Sequence, residues 1–157
     1  MIVKVIVEED LTNYKKPCMT IGFPRCSFKC DIECGRQVCQ NSALATAPDI
    51  NVSSSGIIVK YLNKHLTEAL TLQGLEPLDS WDDVIDLIDK FRERSQDNIV
   101  IYTGYTEEEA QWYIWQLSKY PNIIMKFGRY IPDQQPHYDE VLGVNLASDN
   151  QYAKKIS

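Results

Sequence analysis

Met19-Thr20-Ile21-Gly22-Phe23-Pro24-Arg25-Cys26-Ser27-Phe28-Lys29-Cys30-Asp31-Ile32-Glu33-Cys34-Gly35-Arg36-Gln37-Val38-Cys39-Gln40-Asn41-Ser42 runs from a strand-forming stretch straight into a loop with four cysteines. Met19 to Phe23 reads as a strand, Pro24 ends it, and the loop of residues 24–42 lies past its C-terminal end. α/β folds build their sites at such strand ends. Working outward, further strand-like segments lie at Ile2 to Val7, Glu68 to Leu72, Ile99 to Thr103 and Ile123 to Phe127. They alternate with helical patterns, which predicts an α/β domain with a largely parallel sheet.

The clearest helix comes after Ser80, with the Ser80 hydroxyl and Asp83 placed as a capping box and Trp81, Val84, Ile85, Ile88 and Phe91 on one face. Asp82, Asp86, Asp89 and Lys90 form its solvated face. A second helix is expected from Thr106 to about Ser118, with Glu107, Glu108 and Glu109 at its positive end, and a third from about Ser55 to His65. Past Gly128 the chain reads as loop, with Val141 to Leu146 as a last strand. No repeat or linker divides it, so residues 1–157 are expected to form one domain.

The 157 residues are 44% hydrophobic, too apolar for a disordered chain. The net charge is −6 and the 16 basic residues are scattered, which argues against nucleic acid as a partner. No stretch approaches the roughly 18 apolar residues of a membrane span. With no secretory pattern at the N-terminus, a cytoplasmic location is expected. Reducing conditions there favour metal or redox roles for clustered cysteines, and an odd total of five disfavours a disulfide framework.

Thiolates suit zinc and iron-sulfur clusters alike, so ligand spacing must decide between them. Cys26, Cys30, Cys34 and Cys39 are separated by three, three and four residues, without the C-x2-C knuckles usual for zinc. Four thiolates on zinc would close a structural site, whereas three on a 4Fe-4S cluster would leave one iron open. Cys18 starts a strand and is read as a buried small hydrophobe. His65 and His137 lack the spacing to join the cysteines.

Cys26-x3-Cys30 with a later Cys39-Gln40-Asn41 resembles the cluster loop of radical S-adenosylmethionine (SAM) enzymes, and more narrowly the activating proteins of anaerobic ribonucleotide reductase. That family's motif is C-x3-C-x2-C, often followed by His-Asn. With Cys39 as third ligand, the second gap carries six extra residues, and Cys34, inside them, is the alternative third ligand. Val38 stands where the family has an aromatic near the adenine, and Gln40 where it often has histidine. Gly74-Leu75-Glu76-Pro77 resembles the Gly-Gly-Glu-Pro motif, and Thr103-Gly104-Tyr105-Thr106 the Thr-Gly-Tyr-Thr strand tip. Phe127-Gly128-Arg129-Tyr130-Ile131 and Ala147-Ser148-Asp149-Asn150-Gln151 are partial matches to later segments. Physically, Gly74 permits close backbone approach and Glu76 can accept hydrogen bonds from an ammonium, although a strand-to-helix turn fixed by Pro77 would show the same residues.

The resemblance implies an open partial (βα) barrel, a 4Fe-4S cluster on Cys26, Cys30 and Cys39, and SAM contacts from Val38, Gln40, Gly74, Glu76 and Thr103. It implies reductive cleavage of SAM to methionine and a 5'-deoxyadenosyl radical, with a flavodoxin or ferredoxin-like protein supplying the electron. That radical would take hydrogen from a glycine of anaerobic ribonucleotide reductase or another glycyl radical enzyme. The alternatives are a non-catalytic cluster for electron transfer or structure, and a zinc-bound interaction module.

Overall fold

The computed structural model describes all residues, 1–157. Strands β1 (Ile2–Val3), β2 (Val5–Asp10), β3 (Cys18–Phe23) and β4 (Ile50–Asn51) come from the first third of the chain, with helices α1 (Lys29–Cys34) and α2 (Ser42–Thr46) between the last two. Next come α3 (Ser54–Leu62), β5 (Ala69–Gly74), a 3₁₀ turn at Pro77–Ser80, α4 (Trp81–Arg92), β6 (Asn98–Tyr102), α5 (Gln111–Leu117) and β7 (Ile123–Phe127). The chain ends with β8 (His137–Asp139), β9 (Val144–Leu146) and β10 (Tyr152–Lys155).

Six strands form the main sheet in the order β10-β7-β6-β5-β3-β2, and β1-β4 and β8-β9 form two small antiparallel pairs. The four central strands β3, β5, β6 and β7 are parallel to one another, and both edge strands are antiparallel to them. The parallel strands are near-continuous apolar runs because both faces are covered. On one face α3 and α4 pack Ile57, Tyr61, Val84, Ile88 and Phe91 against Ile21, Leu72 and Ile101, with Leu117 of α5 joining them. On the other, Tyr14, Leu142 and Leu146 pack against Cys18, Val100 and Ile124.

This architecture corrects the expected open partial barrel of radical SAM type with a largely parallel sheet: the sheet is mixed. A further parallel strand needs a crossover of a dozen or more residues, usually a helix. The segment after Phe127 has no helix. It turns through Gly128 to Asp133, makes the β8-β9 hairpin, and returns as β10 antiparallel to β7. At the other edge, β2 reaches β3 through residues 11–17 and also runs antiparallel.

Local expectations fare unevenly. β7 has the expected bounds, while the first strand breaks at Lys4 into β1 and β2. The Ser80 hydroxyl does not cap α4 and is buried without a partner. The helix is entered instead from the 3₁₀ turn, whose N-terminus is capped by Glu76 accepting from the Leu78 N–H at 3.1 Å. The α5 helix starts at Gln111 rather than Thr106. Thr106 and Glu109 hydrogen-bond each other's backbone N–H at 3.2 and 3.0 Å and stabilise a turn before it. Cys18 is fully buried, as expected.

Gly74 closes β5 with φ +103°, and a Cβ there would lie 2.7 Å from the Gly22 Cα and the Phe23 N of β3. The backbone itself therefore fills the space at this strand tip. We expect Gly74→Ala to destabilise the protein by roughly 2–3 kcal/mol, seen as a lower urea midpoint with an unchanged slope.

Candidate metal centre

The C-terminal tips of β3, β5, β6 and β7 open into one cavity of about 290 Å3, lined by Cys26, Cys30, Cys39, Gly74, Glu76 and Thr103 among others. Three of the four clustered cysteines thus line one cavity at the strand ends. Cys34 does not line the cavity; four residues beyond Cys30 on α1, it lies about 6 Å further along the helix axis. Gln40 lines the cavity, whereas Val38 is half-buried outside the lining. All five thiols are free.

Carboxylates hold the cysteine loop in place. Asp31 accepts from the N–H groups of Val38 and Cys39, both at 2.8 Å, so the residue next to Cys30 fixes the backbone of Cys39. Gly35, with φ +65°, ends α1 and turns the chain back toward that contact. Asp79 accepts from the Ser27 N–H at 2.7 Å and the Tyr105 hydroxyl at 2.6 Å. The Asn41 amide donates to the Gly74 carbonyl at 3.0 Å, tying the end of the loop to β5. Asp31 and Asp79 carry no motif signal in the sequence, because an isolated aspartate reads as a solvated charge.

Glu76 is 3% exposed and bridges two strand tips, accepting from Leu78 and from the Gly104 N–H at 2.8 Å. Burial pushes its carboxyl up to about 7 in spite of these bonds. The Thr103 side chain is a further hydrogen-bond partner of this carboxylate, which lines the cavity beside the thiols. The Thr103 hydroxyl accepts from the Tyr105 N–H at 3.0 Å and so fixes the β6 turn as well as lining the cavity. A Cβ at Gly104 would stand 3.5 Å from Glu76 Oε2 and 3.9 Å from Cys30 Sγ, so a side chain there would occupy the approach to that thiol.

The thiols suit a bound group of several metal ions. Burial pushes Cys26 up to about 12 and Cys30 in the same direction, and neighbouring Glu76 and Asp79 add to the effect at Cys26. Such thiols ionise only with a compensating cation, which coordinated iron supplies. The Phe28 N–H already donates to Cys26 Sγ at 3.2 Å, the kind of outer bond that stabilises a coordinated thiolate. No three His, Cys, Asp or Glu side chains converge as ligands of a single ion would. Thiolates on separate corners of a cluster need not converge in that way.

Three thiols lining a cavity at parallel strand tips are a donor set that suits an iron-sulfur cluster. The family described as "4Fe-4S single cluster domain" matches residues 19–150, and the chain belongs to it. The protein accordingly binds a 4Fe-4S cluster. No curated protein and no solved structure matches the chain. No helix is long and apolar enough to cross a membrane.

Arg129 braces the site just past the end of β7, its guanidinium 2.7 Å from Glu109 and 3.2 Å from Glu33 on α1. The hydrogen bond from Arg129 holds the Glu109 carboxyl at about 2, against an ordinary 4.5. A lowered native value contributes stability above the ordinary value, and that contribution fades as pH falls from about 4.5 toward 2. The gap in melting temperature between wild type and Glu109→Gln should therefore be widest near neutrality and shrink in acid. For the loop, Asp31→Ala should release iron several-fold faster to a chelator than wild type, monitored by the loss of cluster absorption.

Proposed function

We propose that Cys26, Cys30 and Cys39 hold the 4Fe-4S cluster and leave one iron open for SAM, and that the protein is a radical SAM activase for a glycyl radical enzyme. The observation that carries this reading is the cavity itself, which three cysteines line while Cys34 lies outside it. When bound, the cluster supplies the electron that splits the carbon-sulfur bond of SAM, giving methionine and a carbon radical that takes hydrogen from a partner's glycine.

The chain's own groups have positioning roles in that reaction. Glu76, which lines the cavity, accepts from the ammonium of the methionine moiety. Gly104 leaves room for the ligand beside the thiols, Gly74 lets the tip of β5 lie directly on the β3 backbone, and Gln40 and Thr103 present polar atoms to the cavity. The tips of β5 and β6 fix Gly74, Glu76, Thr103 and Gly104 on rigid elements, which keeps the reacting carbon in one place. Anaerobic ribonucleotide reductase is the partner the sequence resemblance favours, and a flavodoxin or ferredoxin-like protein the electron donor.

A second reading, a cluster used for electron transfer or for structure alone, is favoured by the matched family's description, which names the cluster and no reaction. Cys34, one helical turn beyond Cys30, is the residue that would close the fourth iron.

Anaerobic reconstitution followed by EPR with and without SAM separates the two readings. For the activase, the reduced-cluster signal changes on adding SAM and 5'-deoxyadenosine accumulates. Cys26→Ala, Cys30→Ala and Cys39→Ala each lose most of the cluster absorption, and Cys34→Ala keeps it. A signal indifferent to SAM, together with a Cys34→Ala variant that gains SAM binding, would establish the electron-transfer or structural reading instead.

A further inference from the structure

Lys126 is the one lysine that lines the cavity holding the three thiols. It sits on β7 two residues after Ile124, so its side chain leaves the sheet on the face that Tyr14 and the β8-β9 hairpin cover, only 7% exposed. The ammonium donates to the Gly128 carbonyl at 2.7 Å, and no carboxylate reaches salt-bridge distance. Glu76 and Cys30 are the charge-bearing groups that act on it. A buried ammonium without a paired anion is costly, and an aliphatic residue would fill this strand position without that cost. Burial lowers its pKa to about 8, which leaves it mostly protonated at neutral pH.

A cluster held by three thiolates carries net negative charge, and one-electron reduction makes it more negative by one unit. A fixed cation in the same low-dielectric cavity stabilises the reduced state more than the oxidised one. We infer that the Lys126 ammonium is a counter-charge of the cluster, alongside the carboxylate-paired Arg129, and raises its reduction potential. The reaction is the addition of one electron from an external one-electron reductant, with no bond made or broken. The inference rests on the cluster lying at Cys26, Cys30 and Cys39, and not on SAM cleavage.

The test is an EPR-monitored redox titration, near pH 7 and without SAM, of reconstituted wild type, Lys126→Met, Lys126→Gln and Lys126→Arg, with dithionite as reductant and iron and sulfide content measured alongside. The two neutral variants should show an equilibrium constant for reduction about tenfold lower, or about 59 mV more negative for one electron. The arginine variant, which keeps the charge, should stay within about twofold of wild type. An unchanged potential in a neutral variant with full iron content overturns the inference, as does an arginine variant that falls as far as methionine. Cluster loss from both neutral variants but not from arginine supports it; loss from all three overturns it. Wild type without a cluster defeats the ligand assignment, whereas wild type with a cluster that forms no 5'-deoxyadenosine in a separate incubation with SAM and dithionite defeats only the activase and leaves the potentials readable.

Discussion

The site depends on buried or half-buried carboxylates that accept backbone N–H groups at the ends of strands and loops. An irregular segment near the interior must satisfy its backbone polar groups, and here Glu76, Asp79 and Asp31 do so for Leu78, Gly104, Ser27, Val38 and Cys39. The same negative charge works against ionising the thiols. Glu76 and Asp79 both push Cys26 up, beyond what burial does. The rim is therefore ordered by groups that make a metal-free thiolate unfavourable, and iron bound to these thiols, as proposed, would resolve the conflict by supplying positive charge.

The parts of the fold legible in the sequence are those whose burial leaves a pattern. β7 is apolar at four of five positions because both its faces are covered, and α4 carries its apolar side at helical spacing. β10 reads as Tyr-Ala-Lys-Lys, and only its pairing with β7 makes it a strand; nothing in the local sequence announces an edge. The barrel expectation came from resemblance, whereas the antiparallel edge at β10 is dictated by residues 128–151. Pro132 and Pro136 break that segment too much for a crossover helix. Ser80 has the sequence features of a cap, yet Pro77 and Glu76 start a 3₁₀ turn that moves the capping upstream.

The site was legible to the same uneven degree. Cysteines in one short segment point to a metal at any reading, and Gly74, Glu76 and Thr103 do lie beside them. Val38 does not, because its N–H is turned to Asp31 and its side chain stands outside the cavity lining. Asp31, Asp79 and Lys126 were invisible for a common reason. A charged residue shows its function through what surrounds it, and one sequence position does not record its burial or its partner.

The spacing between Cys30 and Cys39 is the feature in which this chain departs most from the motif it resembles, and the fold shows how the extra residues are absorbed. Half of the residues between the two cysteines, 31–34, belong to α1, which takes the chain away from the cavity, and Gly35 turns it back through a left-handed conformation that glycine adopts freely. Asp31 then closes the excursion by binding the backbone on either side of the Val38–Cys39 peptide. The excursion begins beside Cys30 and ends on Cys39, so its length changes the path of the chain while the two thiols still line one cavity. Cys34 travels with α1 and stays outside it. Loop length alone is consequently a poor guide to thiol placement here, because one carboxylate and one glycine set where the loop returns.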